Sequence, residues 1–140
     1  YRPLPQTALT PRITAMAQCL FAPPNVKGWP GGKAWLTTAT LLERSNFAWA
    51  FVSGSLWVPP DANFAVAEGV PPPRAFDPAR VVDDAGAKTP AAIVTALVNA
   101  FLPGGIRPAA EAKLVAFLTE GGALREAVHA VLTLPEAQLV

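Results

Sequence analysis

The segment FAPPNVKGWPGGKAWL, residues 21–36, restricts the fold of this 140-residue chain more than any other stretch. Its three prolines each fix φ and lack a backbone donor, and its three glycines permit positive φ. Neither a helix nor a strand continues through such a sequence, so the segment predicts an ordered loop between two helices. We expect Asn25 and Trp29 to be substantially buried, because burial of a large apolar side chain contributes about 1.5–3 kcal/mol.

Helices are predicted on both sides of this loop. Residues 12–20 predict a short helix that must end before the prolines, and residues 38–53 predict a longer helix that Gly54 stops. The second helix is apolar on most sides, and we expect the rest of the fold to cover it. We expect the guanidinium of Arg44 on this helix to contact loop carbonyls or an acid. The predicted apolar face is Leu41, Leu42, Ser45, Ala48, Trp49 and Val52, widened by Phe47 and Phe51, and the polar strip is Glu43, Asn46, Ala50 and Ser53.

Prolines mark helix starts in the second half of the chain. Pro90, after the N-cap Thr89, and Pro108 each begin a helix, and a last helix runs from about Ala123 until Pro135 stops it. Three antiparallel helices on short loops form a small bundle. The inward positions are Ile93, Val94, Leu97, Val98, Phe101 and Leu102, then Leu114, Phe117 and Leu118, and finally Leu124, Val128, Val131 and Leu132.

The predicted organisation has three parts within one domain. Residues 1–56 hold the N-terminal helices and the loop, residues 57–88 form a proline-rich linker, and residues 89–140 form the three-helix bundle. The linker has one helical turn, with Asp77 as its N-cap and Pro78 as its first residue. The predicted fold class is therefore all-α, a small helical bundle with long Pro/Gly-rich loops.

Charge is scarce in this sequence. Only 15% of the residues are charged, 51% are hydrophobic, and the mean hydropathy is +0.31. Soluble domains average about 25% charged residues. We therefore expect part of the surface to face another polypeptide and the chain to be a fragment of a larger helical protein. The net charge of +1, with no run of basic residues, argues against nucleic-acid binding. No apolar segment reaches the roughly 20 residues of a membrane span.

Residues that carry chemistry are few. Cys19 is the single cysteine, so no internal disulfide forms, and a small buried apolar role suits it better than a reactive thiol. His129, the single histidine, is solvated or paired with Glu126, with a general base or metal ligand as the alternative. Asp83 and Asp84 are expected to be solvated turn residues. The sequence predicts no catalytic residues, no metal and no cofactor, and leaves open whether the protein is an enzyme.

The loop itself is the candidate binding site. Its tryptophans either fix the loop onto the helices or form a platform on which a sugar ring or a partner's side chain stacks, with a lysine at the rim. Residue chemistry favours the structural role. The candidate binding residues are Asn25, Lys27, Trp29, Lys33, Trp35 and Arg44.

The segment AQCLFAPPNVKGWPGGKAWLTTATLLERSNFA resembles the signature of a bacterial family, domain of unknown function (DUF) 1800. That signature has Gly-Gln, an apolar pair, Pro-Pro-Asn-Val-x-Gly-Trp-Pro-Gly-Gly, a further Trp and then Arg-x-Asn-Phe. The C-terminal LREAVHAVLTLPEAQLV is similar to the closing helix and the Ser-Pro-Glu-aromatic-Gln end of the family. Three residues depart from these patterns: Ala17 for Gly, Leu134 for Ser and Ala137 for the aromatic residue.

The resemblance implies a helical fold and an exported, periplasmic or extracellular bacterial protein, encoded beside a partner from another exported family. It covers about the last third of a family member and implies no activity. We expect a binding or assembly role, with the missing N-terminal part, another chain, an exported partner or a carbohydrate as what is bound. The alternative is part of a hydrolase acting on cell-surface or extracellular polymer, with its main catalytic residues outside this chain.

Overall fold

The computed structural model describes residues 6–17, 22–23, 25–28, 32–55 and 76–138. Every regular element within these ranges is helical, which confirms the predicted all-α class. No described helix combines the length and the apolar character needed to cross a membrane. The chain divides into two compact units, Tyr1–Phe76 and Asp77–Val140. The helices are α1 (Gln6–Ala15), α2 (Thr38–Ser53), α3 (Pro78–Asp84), α4 (Pro90–Phe101), α5 (Pro108–Thr119), α6 (Leu124–Thr133) and α7 (Pro135–Gln138), with a 3₁₀ turn at Gly32–Trp35.

In the first unit α1 packs against α2, and its position differs from the prediction of residues 12–20. The helix begins at Gln6, includes Pro11 and ends at Ala15. It ends there because Ala17 lies in the left-handed region, at φ 61°, where a right-handed helix cannot continue. Residues 18–20 of the predicted helix, and with them Cys19, lie outside the described residues.

The bounds of α2 are those predicted, and Gly54 ends the helix at φ 81°. Its buried face was wrongly predicted. Ala50, assigned to the polar strip, is buried together with Ala48 and Val52, whereas the side chains of Leu41, Leu42 and Trp49, assigned to the covered face, are exposed. A helix so apolar has no strong contrast between its faces, so periodicity alone does not fix its rotation.

Phe51, on the flank of α2, stacks on Phe76, with ring centroids 4.8 Å apart and an interplanar angle of 24°. The sequence predicts that the rest of the fold covers α2. Phe76, at the end of the first unit, supplies part of that cover from within the chain. Offset stacking of this kind adds about 0.5–1.5 kcal/mol to the burial of the two rings.

The second unit is built around α4, which contacts α3, α5 and α6. Thr89 caps α4 and Asp77 caps α3, each through its side-chain oxygen, as predicted. The predicted single turn after Asp77 is a seven-residue helix that also packs on α6. Asp83 and Asp84 end this helix instead of lying in a loop, and both are exposed. The buried core residues of the unit are Val94, Leu97, Leu102, Leu114, Ala127, Val128 and Val131, with Pro78.

Pro135 stops α6, as predicted, but it also begins the four-residue helix α7, which the sequence analysis missed. From α7 the Oε1 atom of Glu136 accepts hydrogen bonds from the Arg107 backbone N–H at 3.3 Å and from Arg107 Nε at 2.7 Å. Arg107 is the N-cap of α5 and its own side chain makes no cap. The contact therefore fastens the last helix to the start of α5. Hydrogen bonds from its own backbone and from Arg107 lower the pKa of the Glu136 carboxyl from its ordinary value.

The left-handed backbone at Ala17 gives a stability prediction. Ala17→Gly should raise the free energy of unfolding by roughly 0.5–1 kcal/mol, since relief of about 1–2 kcal/mol of backbone strain exceeds the entropy cost of glycine. Ala15→Gly, two residues earlier in the last turn of α1, is the matched control and should lower it by roughly 0.5–1 kcal/mol. Urea unfolding of the two variants measures both values, and destabilisation by both would contradict the strain argument.

Candidate functional site

The signature segment folds back on itself first at residues 25–28. The Gly28 N–H donates to the Asn25 carbonyl oxygen at 3.0 Å, and the Lys27 N–H donates to Asn25 Oδ1 at 2.8 Å. Asparagine at the first position and glycine at the last are typical of such a turn, and Gly28 adopts φ 89°. The loop is therefore ordered here by local hydrogen bonds.

The side chains of this turn project into solvent. Asn25 and Lys27 are exposed, and Val26 at the tip is 104% exposed. The expectation that Asn25 would be buried is wrong, because its amide serves the turn beside it and not a more distant partner. Trp29, expected to be buried with it, lies outside the described residues.

The second half of the segment is fixed to α2 by a single hydroxyl group. Thr40 is buried, and its Oγ1 donates to the Trp35 carbonyl oxygen at 2.6 Å and accepts from the Thr37 N–H at 2.9 Å. In return the Thr40 N–H donates to Thr37 Oγ1 at 3.2 Å, which completes a capping box. Thr40 thus joins the 3₁₀ turn to the first turn of α2.

The other candidate residues of this region occupy different environments. Lys33 is exposed on the 3₁₀ turn, Trp35 is half-buried at its end, and Arg44 is half-buried on α2. Arg44 Nε is buried without a hydrogen-bond partner among the described residues. The expected contacts of Arg44 with loop carbonyls or an acid therefore remain a prediction, since the middle of the loop lies outside those residues.

Five of the six candidates lie in the part of the chain that the structure describes, and they fall into separate local groups. Asn25 and Lys27 share the turn, while Lys33 and Trp35 share the 3₁₀ turn that Thr40 anchors. Sequence reasoning missed Thr40, although a threonine three residues after Thr37 at a helix start was a usable signal. The binding role of these residues remains a proposal.

The other chemistry-bearing residues do not assemble into a metal centre. No group of three or more histidine, cysteine or acidic side chains able to hold a metal ion occurs among the described residues. His129 is half-buried on α6, where its carbonyl oxygen accepts from Thr133 Oγ1 at 2.9 Å.

The comparison with known families matches residues 2–139 to the model of a protein of unknown function, DUF1800. The chain belongs to the DUF1800 family. The predicted resemblance, on the signature segment and the C-terminal motif, is thereby confirmed. No curated protein and no solved structure matches the chain.

The structure gives physical reasons for two parts of the DUF1800 pattern. The residue before Gln18, glycine in the pattern and Ala17 here, has a positive φ of 61°, a conformation that glycine adopts without the strain of a side chain. In the C-terminal motif, Glu136 bonds Arg107 and Gln138 Nε2 donates to the Leu132 carbonyl oxygen at 3.1 Å. The described residues of both motifs therefore have structural roles: Ala17 at the end of α1, and Glu136 and Gln138 in the attachment of α7.

The anchoring hydroxyl gives the next prediction. Thr40→Val keeps the shape of the side chain but should lower the free energy of unfolding by about 1–3 kcal/mol, because it leaves the Trp35 carbonyl and the Thr37 N–H without this partner. Thr38→Val, two residues away on the exposed first position of α2, is the control and should change it by less than about 0.5 kcal/mol. Urea unfolding provides the comparison, and equal effects would remove Thr40 from its anchoring role.

Proposed function

We propose that this DUF1800 chain is a binding or assembly module that presents the exposed face of α2 to another polypeptide. The observation that carries the proposal is the exposure of large apolar side chains on that helix. Leu42 is 60% exposed, Trp49 is 46% exposed and Leu41 is 41% exposed. Leu42 and Trp49 are seven residues apart, so they lie on the same face of the helix.

The scarcity of charge supports this proposal. When few charged residues lie between exposed apolar side chains, these side chains form larger contiguous patches. Large exposed apolar patches mark sites of protein–protein contact. Val26, at the tip of the turn that precedes α2 in the chain, adds another fully exposed apolar side chain to the same unit. A leucine and a tryptophan on one helix face are typical anchors of an interface.

The first test is association of the chain alone. We expect concentration-dependent self-association in sedimentation experiments at tens of micromolar, with a second copy covering the α2 face when no other partner is present. Leu42→Asp should weaken it at least tenfold, because an interface loses the burial of one leucine, about 1.5–3 kcal/mol. Asn99→Asp adds the same charge at an exposed site on α4 and should leave association unchanged.

Binding of a hydrophobic dye serves as the check on the exposed patch. If the unmodified chain is a compact monomer that binds no dye, the α2 face is not an association surface and the proposal fails. If Asn99→Asp weakens association as much as Leu42→Asp, the effect comes from net charge and not from the apolar contact.

We also propose that the protein is exported, since the family resemblance implies a periplasmic or extracellular location. Fractionation of the producing bacterium should recover the chain with periplasmic or secreted proteins. Its recovery with a cytoplasmic marker enzyme would contradict export while leaving the association proposal untouched.

A further inference from the structure

A groove of about 520 Å³ lies along the second unit, between α5 and α6. Its apolar walls come from both helices and from the residue that ends α6. The alanine side chains are too small to fill the space between the two helices. Leu114 and Phe117 line that space with larger apolar side chains. The apolar lining residues are Ala109, Ala110, Leu114, Phe117, Ala130 and Leu134.

Two residues at the ends of the groove help to form its apolar walls. Gly122, in the loop after α5, lies so close to Phe117 that a Cβ at this glycine would clash with the ring, so the glycine leaves room for the aromatic wall. At the other end Leu134 occupies the place of the serine in the family pattern, which makes this wall more apolar here.

Three charged side chains line the same groove, namely Arg107, Lys113 and Glu126. Arg107 precedes α5 and Glu126 lies in the first turn of α6. Because a short loop joins the two contacting helices, they run antiparallel, and these two residues lie at opposite ends of the groove. Arg107 is paired with Glu136, whereas neither Lys113 nor Glu126 takes part in an ion pair within the described residues. Within the described residues the groove therefore has one cation outside any ion pair, Lys113 near the middle of α5, and one such anion, Glu126 at the end where α6 begins.

We propose that this groove binds an amphipathic α-helix of another polypeptide. The twelve residues of α5 extend over about 18 Å, which suits a partner helix of about the same length. An apolar stripe at positions i, i+3, i+4 and i+7 fills the groove, as in other helix-in-groove complexes. The charges fix its direction, since an acidic side chain of the partner meets Lys113 and a basic one meets Glu126. None of the residues that line this groove belongs to α2.

Two synthetic 14-residue helical peptides of identical composition test the proposal. Both carry the leucine stripe and blocked ends, one with lysine in its first turn and glutamate in its last, the other with these charges exchanged. The full 140-residue chain is titrated into each labelled peptide and fluorescence anisotropy is recorded at low and high salt. We expect the first peptide, which runs parallel to α6, to bind several-fold more tightly, with the difference shrinking at high salt.

Protein variants then assign the binding to the groove. The double variant Lys113→Glu with Glu126→Lys keeps the net charge and should reverse the preference between the peptides. The matched control, Lys88→Glu with Glu120→Lys, exchanges the same charges at exposed positions outside the groove and should preserve it. Ala109→Trp fills the exposed edge of the groove and should abolish binding of both peptides.

Several outcomes would overturn the proposal. Equal binding of the two peptides would exclude this groove as a helix site. The absence of binding at protein concentrations up to about 1 mM, on the order of the Kd of the weakest specific complexes, would exclude it as well. Self-association of the chain that Ala109→Trp abolishes would identify a second copy as the occupant instead. Leu42→Asp should leave peptide binding unchanged, so failure here and failure of the α2 proposal are distinguishable.

Discussion

The Thr40 hydroxyl holds together the two most informative parts of this chain. One side chain donates to the carbonyl oxygen of Trp35 and accepts from the backbone of Thr37, so the signature segment and the start of α2 share a hydrogen-bond network. A buried hydroxyl without such partners would cost about 1–3 kcal/mol. This local contact fixes where α2 begins relative to the signature segment.

The second unit has an equivalent tie between distant parts of the sequence. Glu136 contacts Arg107 across 29 residues and fastens α7 to the start of α5. The pair lies beside the groove, which Arg107 and Leu134 line at that end. Each unit thus has a motif of the family signature that closes the fold and a neighbouring apolar surface. We infer that the two motifs stabilise the fold, and we propose that the neighbouring apolar surfaces bind other polypeptides.

Several elements follow from local sequence. Thr89 and Pro90 begin α4 and Gly54 ends α2, because cap hydrogen bonds and proline or glycine backbone preferences act over a few residues. The all-α class was predictable because these local signals mark the ends of helices. The family was predictable because the signature segment matches so many positions of its pattern. Of the candidate site, the sequence placed Lys33 and Trp35 at the end of the loop. It did not predict the exposure of Asn25, because the Asn25 side chain bonds the neighbouring Lys27 N–H and needs no buried partner.

By itself the sequence determined where most helices begin and end, and that prolines separate them. Tertiary structure decided which faces are buried. Ala50 is inside and Leu42 is outside although the sequence pattern favours the opposite, because burial depends on which surfaces meet and not on apolar character alone. It also placed Lys113 and Glu126 on one groove, since they are on different helices and only the packing of α5 on α6 brings them to one surface.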